Sequence, residues 1–359
     1  MSSIINVAIA GIQGYSGQVL MQLVKIHPYL NLVAAFSRQT QVELYQQLPV
    51  LKRQNIPVYS YEFIKQHPGK IDVLFLATPA AVSIEIADLL INSLINSEIC
   101  IIDLSGGFRL SEQQFSTWYG LKHRAPSLIE KACYGLTPWV TSQASHRLIA
   151  NPGCYATCAL ISLLPLLKAN ILNQSTLIID AKSGVSGSGK QTNPHLMFCE
   201  MANNFLPYKI GNHQHIPEIK NALKAIGGKD VTIRLTTSLL PIARGITMNI
   251  YGQAPVGLTD TDIIRLISQA YQDAYHDYPF VHYQAVGQET IDNLFILSLN
   301  QVIGTPNCHI GFFVQDGQIT LFASLDNLLK GAASQAIENL NALFNLPLHT
   351  GLLSLQGGL

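Results

Sequence analysis

Two short stretches of this sequence combine residue types that could do covalent and proton-transfer chemistry. In the first, Asn151-Pro152-Gly153 leads into Cys154 and then into an apolar run from Ala156 to Leu167. Pro152 fixes φ, Gly153 permits turns closed to other residues, and the run predicts a helix starting beside Cys154. Unpaired N–H groups and the positive dipole end of such a helix favour a thiolate, so Cys154 is a candidate nucleophile. The competing role is an inert buried thiol.

The second stretch is His213-Gln214-His215-Ile216-Pro217-Glu218. It places two imidazoles close together, with Glu218 able to orient one of them by hydrogen bonding. The same spacing suits metal ligands, but no third recognisable ligand accompanies it, and no metal is expected. Arg109, after Ser105-Gly106-Gly107-Phe108, and Arg244, in Pro241-Ile242-Ala243-Arg244-Gly245, are candidates for a carboxylate or phosphate. Ser183 and Gly184 open a stretch to Lys190 that reads as a glycine-rich turn. It lacks P-loop spacing but can bring backbone close to a substrate.

These residues need a scaffold, and the amino-terminal half has the pattern of one. Ile4 to Ala10 reads as a strand, followed by Gly11-Ile12-Gln13-Gly14-Tyr15-Ser16-Gly17 and by Val19, Leu20, Leu23 and Val24 at helical spacing. At that junction Gly11 can make the turn, Gly14 can admit a pyrophosphate and Gly17 can let helix and strand approach. Gln13, Tyr15 and Ser16 sit in the same loop, whose amides can hold the diphosphate. The second strand, Leu32 to Phe36, ends in Ser37-Arg38, which favours NADP(H) because arginine accommodates its extra phosphate. Further strands at 73–77, ending near Pro79, and at 99–104 imply a mostly parallel sheet.

Beyond Cys154 the strands at 177–182, 231–236 and 245–251 suit a mixed or antiparallel sheet. The expected architecture is α/β. A Rossmann-like nucleotide-binding domain occupies 1–150 and an α+β mixed-sheet catalytic and oligomerisation domain occupies 151–325. A carboxyl-terminal segment, 326–359, returns to the nucleotide-binding domain.

With 22 basic and 22 acidic side chains the formal charge is zero, which gives no electrostatic reason to expect nucleic acid or a membrane surface as partner. Charged residues make up only 12%, compatible with buried subunit contacts in a homodimer or homotetramer. Six sparse cysteines and no signal-like amino terminus point to a cytoplasmic setting.

Taken in order, the Gly11–Gly17 loop, Asn151–Thr157, Gly184-Val185-Ser186-Gly187, His213–Ile219 and Pro241–Gly245 resemble the N-acetyl-gamma-glutamyl-phosphate reductase family, relatives of aspartate-semialdehyde dehydrogenase. The resemblance implies NADPH-dependent reduction of N-acetyl-gamma-glutamyl phosphate to N-acetylglutamate semialdehyde with release of phosphate, a step of arginine biosynthesis. It implies Cys154 as nucleophile, and makes His215, with His213 nearby, the first choice for acid–base work. Asn151 and backbone N–H groups would stabilise the oxyanion. Arg109 and Arg244 would hold the substrate's anionic groups, and the Asn327, Lys330 and Gly331 segment would lie near the cofactor, with Asn327 in contact. Two departures stand out: Gly106-Gly107 within a DLSADFR-like segment, and Ala80-Ala81 in place of an ALPHG-like turn. They leave a related acyl-phosphate reductase acting on aspartyl phosphate as the enzyme alternative, and a non-catalytic nucleotide sensor as the other class.

Overall fold

The computed structural model describes residues 4–66, 71–93, 98–143, 145–173, 176–190, 193–287 and 294–357. The chain divides into two compact units, Met1–Pro152 with Ala332–Ser354, and Gly153–Gly331 with Leu355–Leu359.

The first unit is built on seven parallel strands: β1 (Ile5–Ala10), β2 (Leu30–Phe36), β3 (Val58–Tyr59), β4 (Val73–Leu76), β5 (Cys100–Asp103), β6 (Cys133–Tyr134) and β7 (Leu148–Ala150). Their order is β3-β2-β1-β4-β5-β7-β6, and each neighbouring pair runs parallel. The order reverses direction at β1, the arrangement that opens a ligand crevice at the strands' carboxyl ends. β1 and β4 are buried almost throughout, which explains why they read as continuous apolar runs. Helix α1 (Tyr15–Ile26) buries Val19, Leu20, Leu23 and Val24, the positions its spacing predicts. α2 (Gln41–Gln47), α3 (Pro49–Arg53), α4 (Ala80–Asp88) and α5 (Glu112–Tyr119) complete the connections.

The second unit opens with α6 (Cys154–Lys168), in which every residue from Tyr155 to Leu167 is buried. Its polar members turn inward on the helix itself: Thr157 Oγ1 donates to Gly153 O and Ser162 Oγ to Cys158 O. The sheet contains β8 (Leu177–Gly184), β9 (Leu206–Pro207), β10 (Ile233–Leu240), β11 (Ile246–Gln253), β12 (Val281–Ala285), β13 (Cys308–Gln315) and β14 (Gln318–Leu325). Its order is β12-β13-β14-β11-β8-β10-β9. β8 runs parallel to β10 but antiparallel to β11, so the sheet is mixed. α6, α8 (His215–Gly227) and α9 (Asp260–Tyr275) pack against it and one another; the remaining helix, α7 (Phe198–Met201), is a single turn.

Two local expectations are corrected here. Ser183 and Gly184 are not in a turn; they end β8, paired with Leu239 and Leu240 of β10. That pairing also extends β10 to Leu240, leaving only a five-residue connection, 241–245, where the sequence suggests a loop from Thr237. The ladder hydrogen bonds of a central strand outweigh the low strand preference of Ser and Gly.

After β14 the chain re-enters the first unit as α10 (Ser334–Leu343), which packs on α1 and β5. Several of its polar residues are buried and paired. Glu338 accepts from Thr137 Oγ1 at 2.9 Å, Asn339 donates to Gly135 O at 2.8 Å, and Asn341 meets the His27 ring at 3.0 Å.

Candidate functional site

In the first unit, the glycine loop has the shape of a phosphate cradle. Gly11 has φ +83°, and any Cβ there would overlap the carbonyl of Ala77. A Cβ on Gly17 would lie 2.7 Å from Ile12 Cα, so this glycine sets the approach of α1 to β1. Gly14 is more open: its nearest neighbour would be Gly11 O at 3.3 Å. Gly14 also N-caps α1, with no side chain capping the helix. Gln13 contributes a buried Oε1 without a hydrogen-bond partner, and its carbonyl accepts from Gln18 Nε2. Tyr15 and Ser16 form the first turn of α1. Open backbone and an uncapped helix start fit the diphosphate of a dinucleotide.

Ser37 is buried, and its Oγ accepts from Gln39 N at 3.0 Å, so this hydroxyl supports the turn after β2. Arg38, by contrast, is exposed. Pro79 occupies the N-cap of α4.

Arg109 and Asn151 meet in the same unit. Arg109 Nε donates to Asn151 O at 2.7 Å and Nη2 to Leu104 O at 2.8 Å. The Gly106-Gly107 departure does not loosen this loop, because the buried Asp103 carboxylate accepts from Ser105 N and Gly107 N. Gly106 adopts φ +93° over Tyr119 Oη, where a side chain would overlap. Asn151 itself is buried, its Oδ1 accepting from Asn339 and its Nδ2 donating to Ala332 O.

In the second unit, α6 begins at Cys154 itself, with Gly153 as N-cap and no side-chain cap. Cys154 is only partly buried. Glycines frame it on two sides. A Cβ on Gly153 would overlap the His215 ring, and one on Gly331 would lie 2.8 Å from Cys154 Cβ. Glu218 reaches across to accept the Gly153 N–H at 2.8 Å, and its other oxygen stands 3.8 Å from His215 Nε2. His215 and Glu218 are both buried in the first turn of α8.

His213 sits with its ring centroid 4.7 Å from that of His215. Its Nδ1 accepts the His215 N–H at 3.2 Å, which assigns the ring proton to Nε2. Burial, reinforced by His215 and Lys209, depresses the His213 pKa to about 2. His213 is therefore neutral wherever the enzyme could work. The hydroxyls of Tyr208 and Tyr155 continue from it: Tyr208 Oη is 3.5 Å from His213 Nε2 and donates to Tyr155 Oη at 2.9 Å. Burial pushes both phenols well above their usual range, so both stay protonated. Motif reading misses these tyrosines. Tyr155 adjoins the cysteine, but Tyr208 is brought in by β10, where Tyr208 N donates to Thr237 O.

Ser183 Oγ donates to Gly184 O at 2.9 Å, and a Cβ on Gly184 would lie 2.7 Å from Arg244 N. Arg244 Nη2 pairs with the buried Asp326 carboxylate at 3.0 Å, while its buried Nε has no hydrogen-bond partner. Asn327 is a brace in this structure: Oδ1 accepts from Gly245 N at 2.7 Å and Nδ2 donates to Ser186 Oγ at 3.0 Å. Lys330 is buried, its ammonium bonded to Tyr278 Oη and lying over that ring. Among the described residues no three His, Cys, Asp or Glu side chains gather as metal ligands, and no helix is long and apolar enough to cross a membrane.

Residues 6–146 match the family described as semialdehyde dehydrogenase, NAD binding domain, and residues 154–327 match semialdehyde dehydrogenase, dimerisation domain. N-acetyl-gamma-glutamyl-phosphate reductase of Brevibacillus brevis is 36% identical over 355 residues, 97% of this chain and 98% of that protein. The protein of the same name from Staphylococcus saprophyticus is 36% identical over 354 residues, with 97% and 98% covered. Among solved structures, aspartate semialdehyde dehydrogenase from Francisella tularensis aligns with TM-score 0.70 at 17% identity, covering 94% of this chain and 99% of that one. At that identity the likeness concerns the fold.

Proposed function

This chain belongs to the N-acetyl-gamma-glutamyl-phosphate reductase family of semialdehyde dehydrogenases, and from that premise we propose that it reduces N-acetyl-gamma-glutamyl phosphate to N-acetyl-L-glutamate 5-semialdehyde through a thioester on Cys154. The observation that carries the proposal is the arrangement around Cys154. A partly exposed thiol at the first residue of a helix has an imidazole packed on the preceding glycine and a carboxylate behind that imidazole.

The Cys154 thiolate attacks the acyl carbon, the tetrahedral oxyanion collapses, and phosphate leaves with the acyl–oxygen electron pair. When bound, the nicotinamide supplies the hydride that reduces the thioester. His215 serves as the acid–base group: it accepts the thiol proton and protonates the oxygen of the reduced adduct. That adduct is a thiohemiacetal, whose collapse releases aldehyde and regenerates Cys154. Backbone N–H groups in the first turn of α6 stabilise the oxyanion. Asn151, whose side chain is fixed by Asn339 and Ala332, offers its second amide N–H to the same oxyanion. Arg244, with an unsatisfied buried Nε, and Arg109 receive the substrate's anionic groups.

NADP(H) is the proposed cofactor, with the Gly11, Gly14 and Gly17 loop, Gln13, Tyr15 and Ser16 on its diphosphate. The exposed Arg38 is assigned to its additional phosphate. We further propose a homo-oligomer, in keeping with the dimerisation domain that the chain matches and with the open sheet face presenting Ile178 and Tyr251, each 41% exposed. Parallel reduction assays with N-acetyl-gamma-glutamyl phosphate and aspartyl phosphate test the reading. Preferential use of aspartyl phosphate refutes the substrate assignment, and retained turnover in Cys154→Ser refutes the covalent route.

A further inference from the structure

Two histidines that the proposed reaction does not use stand side by side at the β12 edge of the second unit's sheet. His282 on β12 and His309 on β13 are directly opposite in parallel register. Their ring centroids are 4.9 Å apart. Two imidazoles on one tetrahedral zinc, with each nitrogen about 2.0–2.1 Å from the metal, hold their centroids about 5 Å apart. The free rings are thus already near the separation that a shared ion requires.

The tautomer of His309 is also set for ligation. Its Nδ1 lies 2.7 Å from Ile296 O, a carbonyl that can only accept, so the proton is on Nδ1 and the Nε2 lone pair is bare. A third donor stands beside them. Asn307, only 6% exposed, is within hydrogen-bonding reach of His282, yet its Oδ1 lacks a well-formed partner.

We propose that His282 and His309, with the Asn307 amide oxygen and water completing the shell, form a site for a borderline divalent transition ion such as Zn²⁺. Imidazole nitrogens select such an ion over Mg²⁺ or Ca²⁺. The test is titration of the intact protein with Zn²⁺ alone against a competing chromophoric chelator, in wild type and in His282→Ala, His309→Ala and Cys154→Ser. His282 is exposed, so its replacement leaves the fold intact. One ion per chain is expected, with affinity falling at least about ten-fold in each histidine variant and unchanged in Cys154→Ser. Shifted His282 and His309 ring resonances should accompany binding. Absence of binding overturns the proposal. So does binding that survives both histidine substitutions or vanishes in Cys154→Ser, which would put the ion on the reactive thiol.

Discussion

Glu218 and Gly153 lie 65 positions apart, yet the Glu218 carboxylate accepts the Gly153 N–H at 2.8 Å. One side chain thereby ties the start of α8 to the residue before the nucleophile, while its second oxygen faces His215 Nε2 at 3.8 Å. Glu218→Gln keeps an acceptor for Gly153 but removes the negative charge that favours imidazolium. The expected result is a folded protein with kcat lowered about ten-fold or more. Its pH–rate limb assigned to His215 should move to lower pH, as read from kcat measured across pH.

The two histidines should separate in kinetics. His213 is held neutral and donates its only ring proton outward, so it positions; His215 packs on Gly153 and exchanges protons. His215→Gln should lower kcat by about 10²–10⁴-fold, the usual contribution of a general acid–base group. His213→Gln should lower it far less. Steady-state kinetics on the two variants decide the assignment, and equal losses contradict it.

Gly331→Ala tests the frame around the thiol. The new methyl would stand 2.8 Å from Cys154 Cβ, so the two helical segments must shift, at about 1–3 kcal/mol. Alkylation of the Cys154 peptide, followed by mass spectrometry, should slow with turnover, whereas labelling of the exposed Cys199 should be unchanged.

Burial of His213 also predicts a pH dependence of stability. Above the unfolded value of about 6.5, the ring is neutral in both states and contributes no slope. Below it, the unfolded chain takes up a proton that the folded chain, with a pKa of about 2, refuses. Stability therefore falls on acidification, by about 2 kcal/mol between pH 6.5 and 5 from this group. Urea midpoints at pH 7.5 and 5.0 should converge partly in His213→Gln. A residual slope should remain, because His27 and His123 are also lowered by burial.

Arg38→Ala should raise KM for NADPH by about ten-fold or more while leaving KM for NADH nearly unchanged, since only the former carries the phosphate assigned to that guanidinium. An unchanged NADPH/NADH ratio of kcat/KM would move the phosphate contact elsewhere.

The sequence alone determined the local features: the glycine turn between β1 and α1, the apolar runs of the parallel strands, and a helix starting beside Cys154. Each depends on a few neighbouring residues whose backbone freedom or periodic burial dictates one conformation. Tertiary structure decided what lies beside those features. Ser183 and Gly184 became strand because β10 supplied their ladder partners. Tyr208 reached Tyr155, Glu218 reached Gly153, and Gly331 came under Cys154 through packing between segments far apart in the chain. Asn151 carries the plainest lesson. Its residue type and place beside the cysteine suggest an oxyanion donor, and only the fold brings Asn339 and Ala332 to hold its amide. A buried polar group bonds to whatever the surrounding chain delivers, and no local pattern encodes that delivery.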